Sequence, residues 1–256
     1  MEATEEFLRM MDSHRGRALI RLMTHLPREP RCAVCRAPFE GFGGWLMKPM
    51  GFSPSRKNPK LCERCFKIIP MGGQQMEVGV LFADIRDFTT FAEEKSPGDV
   101  AEHLNRFYAE AVEVLCRHAI VDKLVGDEVM ALYLPGLFGS DTVGNMVRDA
   151  EKLLEAIGFG DGDPWVEVGV GLDFGTAYVG NVGAGDVKDF TAIGDVVNTA
   201  ARLQSAAASG EIVMSARIGE LAGGTLSGTV TRELELKGKS QPERAIVRSV
   251  YRRPTV

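Results

Sequence analysis

The sequence predicts a mixed α+β domain that follows a small cysteine-rich module. In the last two-thirds of the chain, apolar runs of strand length alternate with longer patterns at helical spacing. The first third contains two Cys-x-x-Cys pairs in a segment rich in Gly and Pro. We therefore expect an N-terminal helix over 1–28, a four-cysteine module over 29–70 and the main domain over 76–253. A length of 256 residues with 45% hydrophobic content suits this division.

Composition narrows the class of protein. The net charge of −5 gives no general attraction to nucleic acid. The uncharged stretch from Val129 to Ser140 is too short to cross a bilayer. The N-terminus lacks the basic segment of a secretory signal. A cytoplasmic protein is the expectation from these observations.

The first 28 residues are predicted to form a helix. Acidic residues come early and basic residues late, which suits the helix dipole. A rough apolar stripe indicates packing on the next module or on a second copy of the chain. The alternative is peripheral contact with a membrane surface or with a partner protein, because several arginines lie on the polar side.

The module of residues 29–70 is predicted to bind one structural zinc ion. Two Cys-x-x-Cys pairs can supply four thiolates to one tetrahedral ion, and the zinc would stabilise a segment with few core residues. The four ligands would be Cys32, Cys35, Cys62 and Cys65. The module is locally basic, which could suit nucleic acid, but a solvated face or a protein contact is the favoured interpretation.

The main domain opens with an apolar strand, Glu77 to Asp84, that ends in a carboxylate. The turn from Ile85 to Thr90 then leads into a helix, whose free backbone N–H groups can hold phosphate oxygens. Asp84 could hold the accompanying cation, or it could simply cap the helix. A core-facing helix follows, from Ser96 to about His118.

The centre of the domain is a predicted hairpin over residues 121–133. Its turn is Gly126-Asp127, and it presents two charged side chains, Lys123 and Asp127. A helix over 141–157 and a strand over 165–173 are expected next. The glycines at 175, 180 and 183 then permit a tight turn and close backbone approach. A slim helix then carries Asn198 and Arg202 on one face. Strands near 211–214, 229–237 and 245–251 would complete the sheet.

Four segments together resemble class III nucleotidyl cyclases. The resemblance covers roughly residues 76–253, and the segments are Phe82-x-Asp84-Ile85-x-x-Phe88-Thr89, Lys123-x-x-Gly-Asp127-Glu128, Val179-Gly-Asn-Val-Gly183 and Gly194-Asp-x-Val-Asn198-x-x-x-Arg202. It implies a ferredoxin-like catalytic domain that works as a head-to-tail homodimer. Each active site would then lie between two subunits and bind two Mg²⁺ or Mn²⁺ ions.

The resemblance also implies roles for individual residues. Asp84 and Asp127, helped by the Ile85 carbonyl, would bind the metal ions. Backbone N–H groups near Phe88 and Thr89 would hold the phosphates, and Lys237 is a weaker candidate for that contact. Lys123 and Thr191 would read the base, Asn198 would orient the ribose and Arg202 would stabilise the transition state.

The two base-reading residues favour ATP. A lysine can donate to adenine N1, whereas guanine N1 carries a hydrogen and would prefer a carboxylate. A threonine hydroxyl can accept from the adenine amine, although it could also donate to guanine O6. Many family members have Asp where this chain has Thr191, and the Lys/Thr pair resembles a subgroup that includes bicarbonate-responsive adenylyl cyclases. Asp87 stands where Gly is common.

The sequence thus predicts an adenylyl cyclase that forms 3′,5′-cyclic AMP and pyrophosphate from ATP. Within enzymes, the alternative is a cyclase with another base preference, for GTP or a pyrimidine nucleotide. Outside enzymes, the alternative is a nucleotide-binding regulator whose zinc module binds nucleic acid or protein. That regulator would bind nucleotide without turnover and would bind nucleic acid in a salt-sensitive manner.

Overall fold

The computed structural model describes residues 30–32, 35–56, 58–68, 73–184, 187–222, 226–236 and 242–250. The predicted helix of residues 1–28 and the candidate residue Lys237 lie outside these ranges. The chain divides into two compact units, one of residues 1–75 and 178–191 and the other of residues 76–177 and 192–256. Within the described residues, no helix is both long enough and apolar enough to span a membrane.

An eight-stranded sheet forms the framework of the main domain. Seven strands lie in the order β2-β3-β1-β4-β6-β8-β7, and β5 pairs with β4. The pairing of β4 with β6 is parallel, whereas β1–β3, β2–β3, β6–β8 and β7–β8 are antiparallel. The strands are β1 (Gln74–Ile85), β2 (Ile120–Val125), β3 (Glu128–Tyr133), β4 (Val168–Ala184), β5 (Val187–Ile193), β6 (Glu211–Ser215), β7 (Thr229–Leu234) and β8 (Glu243–Ser249).

Seven α-helices accompany the sheet in the described part of the chain. They are α1 (Gly41–Met47), α2 (Glu63–Ile68), α3 (Phe88–Glu94), α4 (Pro97–Leu115), α5 (Thr142–Ala156), α6 (Asp195–Ala206) and α7 (Ala216–Leu221). Short 3-10 turns occupy Lys48–Met50 and Phe159–Asp161. Ser96 caps α4 by accepting from the Asp99 N–H at 3.3 Å, and Pro97 occupies its first turn, where no backbone donor is needed.

Side chains of β6 show that this strand is buried on both faces. Ile212 and Met214 belong to the large core, which also contains Phe107 of α4 and Leu153 of α5. Val213, between them, belongs to a second cluster with Leu203 of α6. Successive side chains of a strand point to opposite faces, so this alternation places apolar layers on both sides of β6.

The glycine-dense segment of residues 174–183, whose glycines permit a tight turn, is part of a continuous strand. β4 runs for 17 residues to Ala184, so its glycines do not reverse the chain within that segment. One earlier glycine of the strand allows a close approach: a Cβ on Gly171 would lie 2.2 Å from the Gln204 nitrogen and 2.3 Å from the Ala200 carbonyl oxygen. The glycine therefore lets α6 pack directly on β4.

Candidate active site and cysteine cluster

Two neighbouring antiparallel strands bring Asp84 and Asp127 together. Asp84 lies near the end of β1 and is in register with Glu128, the first residue of β3. The Ile85 N–H donates to the Asp127 carbonyl at 3.3 Å, which extends the ladder by one step. The predicted hairpin is confirmed, because β2 ends at Val125 and β3 begins at Glu128. Its turn thus places Asp127 beside the end of β1.

The electrostatics of this corner oppose ionisation. Burial, with the Asp127 charge next in importance, raises the pKa of Asp84 from 3.8 to about 7. Burial and the Asp127 charge also raise the pKa of Glu128. Half-buried carboxylates so close together repel one another until a cation neutralises them. Oxygen donors of this kind suit Mg²⁺ or Mn²⁺, so Asp84 and Asp127 fit a divalent-metal site.

Two residues that lie outside the predicted motifs also reach this corner. The Gln204 amide Nε2 on α6 donates to Asp84 Oδ2 at 3.2 Å. Arg86 Nη2 donates to the Gln204 backbone carbonyl at 2.7 Å, and its own backbone N–H donates to the Glu167 carbonyl at 2.8 Å. Burial lowers the pKa of Arg86, although the neighbouring Asp84 acts in the opposite direction. The hydrogen bonds of Gln204 and Arg86 therefore connect α6 to the end of β1.

Lys123 lies on β2 next to a β-bulge. Val121 pairs with Ala131 and Lys123 with Met130, so Asp122 is an extra residue in the ladder. The buried Asp122 carboxylate accepts from Lys123 Nζ at 3.3 Å. A bulge increases the local twist and redirects the side chains beside it, so this irregularity alters the direction in which Lys123 leaves the strand.

Asn198 and Arg202 lie on α6, as predicted. Asn198 is exposed and Arg202 is half-buried, whereas Val196, Ala200 and Leu203 of the same helix are buried. The helix therefore packs with its apolar face and leaves the Asn198 and Arg202 face accessible. Gln204 lies on the buried side, where it reaches Asp84.

Phe88 and Thr89 are the first two residues of α3, and Asp87 precedes them in the left-handed region with φ 55°. Phe88 is half-buried and Thr89 is exposed. Thr191 lies on β5 and is 7% exposed. It belongs to the unit of residues 1–75 and 178–191, whereas Asp84, Lys123, Asp127, Asn198 and Arg202 belong to the other unit.

The four cysteines of the N-terminal module converge. Their Sγ atoms all lie within 4.8 Å of one another, and the Sγ atoms of Cys35 and Cys62 are 3.7 Å apart. Four sulfurs at about 2.3 Å from a tetrahedral zinc ion would be about 3.8 Å from one another, so the spacing fits that ion. The Cys62 and Cys65 N–H groups donate to the Cys32 and Cys62 sulfurs at 3.3 Å each.

Proton sharing among these thiols also favours a cation. Hydrogen bonds with Cys35 and Cys62 lower the pKa of Cys32, whereas those with Cys32 and Cys35 raise the pKa of Cys65. All four groups are buried and close together, so they can ionise together only if a metal ion compensates the charge. The predicted convergence of the two Cys-x-x-Cys pairs is confirmed.

The family profile of the adenylate and guanylate cyclase catalytic domain matches residues 72–249. The chain therefore belongs to this family, and the predicted family and mixed α+β fold are confirmed. The match begins after the cysteine cluster, which lies outside it.

Solved structures and curated relatives agree with this assignment. The guanylyl cyclase Cya2 superposes with a TM-score of 0.64 at 25% identity, covering 72% of this chain and 98% of that one. The adenylyl cyclase CyaB from P. aeruginosa has a TM-score of 0.61 at 27% identity and covers 73% and 100%. Adenylate cyclase 1 of Rhizobium meliloti is 34% identical over 137 residues, 51% of this chain and 21% of that protein. The chain spans only about a third of the curated mycobacterial relatives that it matches.

Proposed function

We propose that this protein is an adenylyl cyclase that converts ATP to 3′,5′-cyclic AMP and pyrophosphate. The observation that carries the proposal is the convergence of Asp84 and Asp127 at the corner between β1 and the β2–β3 turn. Burial, followed by the neighbouring Asp127 charge, raises the pKa of Asp84 to about 7, as expected for a pair that receives divalent cations. Membership of the cyclase family, which includes both adenylyl and guanylyl enzymes among its structural relatives, supports the reaction class.

Each proposed site residue would have its own role in the reaction. Two Mg²⁺ or Mn²⁺ ions, when bound, would lower the pKa of the ribose 3′-hydroxyl and neutralise the triphosphate. Asp84, Asp127 and the Ile85 carbonyl would hold these ions. The backbone at Phe88 and Thr89 would contact the phosphates, with Lys237 as a further candidate. Asn198 would orient the ribose, and Arg202 would stabilise negative charge on the α-phosphate as the 3′-oxygen attacks.

The preference for ATP rests on the Lys123 and Thr191 pair. The Lys123 ammonium can donate to adenine N1, and the Thr191 hydroxyl can accept from the N6 amine. The β2 bulge redirects Lys123 at the backbone and the Asp122 carboxylate orients its ammonium group, which supports this role. A different base preference would leave the metal chemistry unchanged and would alter only the nucleotide substrate and its cyclic product.

The proposed assembly is a homodimer with two shared active sites. The exposed Asn198 and half-buried Arg202 are turned away from the core that α6 covers, which suits a role in the site of a second copy. Asp84 and Asp127 would then serve one site while Lys123, Thr191, Asn198 and Arg202 of the same chain serve the other. One structural zinc ion in the four-cysteine cluster completes the proposal.

Product analysis by chromatography tests the function directly. The purified protein would be incubated separately with ATP, GTP, CTP and UTP, in Mg²⁺ and in Mn²⁺, beside an Asp127→Ala control. We expect cyclic AMP from ATP and none in the control, because the variant lacks one of the two proposed metal carboxylates.

Other outcomes would redirect the proposal in defined ways. Cyclic GMP or a pyrimidine product would retain the cyclase mechanism and overturn the base assignment to Lys123 and Thr191. Metal-dependent nucleotide binding with no product, in a protein shown to be dimeric, would identify a nucleotide-binding regulator instead of an enzyme.

A further inference from the structure

The cysteine cluster and the β4–β5 hairpin belong to the same compact unit, and an aromatic contact joins them. Phe66 follows Cys65 directly on α2, and its ring meets the Phe190 ring edge-on with 5.4 Å between the centroids. Phe190 lies on β5 and is only 4% exposed. Edge-to-face pairs of this kind contribute more than their buried area alone, so the contact holds α2 against the hairpin.

A second contact joins the end of the module to the hairpin. Gly73 has a φ of +72°, and a Cβ at this position would lie 2.1 Å from the ring of Tyr178 on β4. Only a glycine can combine this backbone conformation with so close an approach. The chain thus lies directly against the hairpin just before it enters β1.

The position of Phe66 depends on the cysteine cluster. Its backbone N–H donates to the Cys62 carbonyl at 2.8 Å, and the preceding Cys65 N–H donates to Cys62 Sγ at 3.3 Å. The helix that presents Phe66 therefore begins at the sulfurs. Because a bound metal ion fixes its thiolates, an ion in the cluster would also fix the direction of this aromatic ring.

Thr191 follows Phe190 on β5. Adjacent residues of a strand point to opposite faces, so Phe190 can be held on the module side while Thr191 faces the other way. We propose that the metal-loaded cysteine cluster positions Thr191 for base recognition, with Phe66 and Phe190 as the positioning residues. This inference rests on the proposed function for the role of Thr191, although the contact itself does not.

The test compares Phe66→Ala with a matched control, Phe42→Ala. Phe42 lies on the same module but is 75% exposed, and its ring contacts Trp45 with centroids 5.9 Å apart. Three quantities would be measured for each protein: zinc per chain, hydrogen exchange of the β5 amides, and kcat/KM for ATP and for GTP. A fourth sample, the parent protein treated with a zinc-selective chelator, removes the metal without a substitution.

We expect one zinc per chain in both variants, because neither substitution touches a cysteine. In Phe66→Ala and in the chelated protein, the β5 amides should exchange about tenfold faster, and the ratio of kcat/KM for ATP to that for GTP should fall about tenfold. The Phe42→Ala protein should match its parent in both measurements.

Unchanged β5 exchange in a Phe66→Ala protein that keeps its zinc would overturn the inference. So would a fall in kcat/KM of equal size for both nucleotides, because that pattern reports general destabilisation and not base recognition. If the parent protein converts no nucleotide, the proposed function fails separately, and the exchange measurement still decides whether the cluster supports β5.

Discussion

The position of Asp84 makes ionisation of its carboxyl group unfavourable. It is half-buried, it is in register with Glu128 and it lies beside Asp127. A lone carboxylate in this position would cost stability when it ionises, and a second carboxylate increases that cost. A bound cation would offset this cost, so the position of Asp84 suits a metal ligand.

This arrangement predicts a pH dependence in protein dialysed free of Mg²⁺ and Mn²⁺. The native pKa of Asp84 is about 7, above its ordinary value of 3.8, so the native state retains a proton that the unfolded chain releases between these values. The contribution of Asp84 to the free energy of unfolding should therefore be full below pH 3.8 and decline as the pH rises towards 7. Urea unfolding at pH 5 and pH 7 measures the decline.

The matched variants for that measurement are Asp84→Asn and Asp141→Asn. Asp84→Asn should be less sensitive to pH than the parent protein, because it has no proton to release at this position. Asp141 is an exposed helix cap whose pKa is lowered by its bond with Arg148, so its variant should keep the Asp84 dependence. An identical pH dependence in Asp84→Asn would refute the explanation.

Gln204 supports Asp84 from a different element, and its loss should weaken metal binding. In Gln204→Leu, the donor to Asp84 Oδ2 is absent, and removing such a supporting bond typically lowers metal affinity by about tenfold or more. The concentration of Mn²⁺ that gives half-maximal activity should rise accordingly. Gln75→Leu, the same change at an exposed position of β1, is the control. If Gln204→Leu needs the same Mn²⁺ concentration as the parent protein, Gln204 does not support metal binding.

At the scale of elements, β4 and α6 form the close contact on which the site depends. Gly171 leaves no room for a side chain between the strand and the helix backbone. In Gly171→Ala, α6 must move away from the sheet, and overpacking of this kind costs about 1–3 kcal/mol. Gln204 would move with α6, so we expect both the melting temperature and the activity to fall.

Gly98→Ala provides the comparison for that substitution. Gly98 lies in the first turn of α4, and the heavy atom nearest to an added Cβ is Ser96 Oγ at 3.7 Å. This variant should be neutral or more stable by at most about 1 kcal/mol, because alanine restricts the unfolded chain. A Gly171→Ala protein as stable as Gly98→Ala would show that space remains between α6 and β4 at Gly171.

The sequence predicts those elements whose signals are local. The hairpin with its Gly126-Asp127 turn, the helix with Asn198 and Arg202, and the convergence of four cysteines all follow from spacing and turn residues. The length of β4 does not, because glycines mark both tight turns and strands that pack closely on another element. Contacts between distant segments, such as Gln204 with Asp84 or Phe66 with Phe190, leave no periodic pattern in the sequence.

At the scale of the whole molecule, the proposed shared sites predict complementation between two inactive proteins. Asp84→Ala lacks a proposed metal ligand, and Arg202→Ala lacks the proposed transition-state donor. A mixed dimer would contain one site in which both residues are intact. If the chains mix randomly, half of the dimers are mixed, so activity should recover to about a quarter of the parent value.

The control for complementation is each variant alone at the same total concentration. Mixed dimers can be verified with two different affinity tags on the two chains. Absence of any recovery in a sample proven to contain mixed dimers would mean that each chain completes its own site.

The length of β4, 17 residues, predicts that truncation of the chain before β1 would expose part of the sheet. Its parallel neighbour β6 has only five residues, and the last residues of β4, together with most of β5, form a unit with the cysteine module. A truncated chain that begins at residue 72 would keep the family domain but uncover Phe190 on β5. Such a strand, with a newly exposed aromatic ring, is a template for edge-to-edge aggregation, so the minimal domain should express less well than the longer chain.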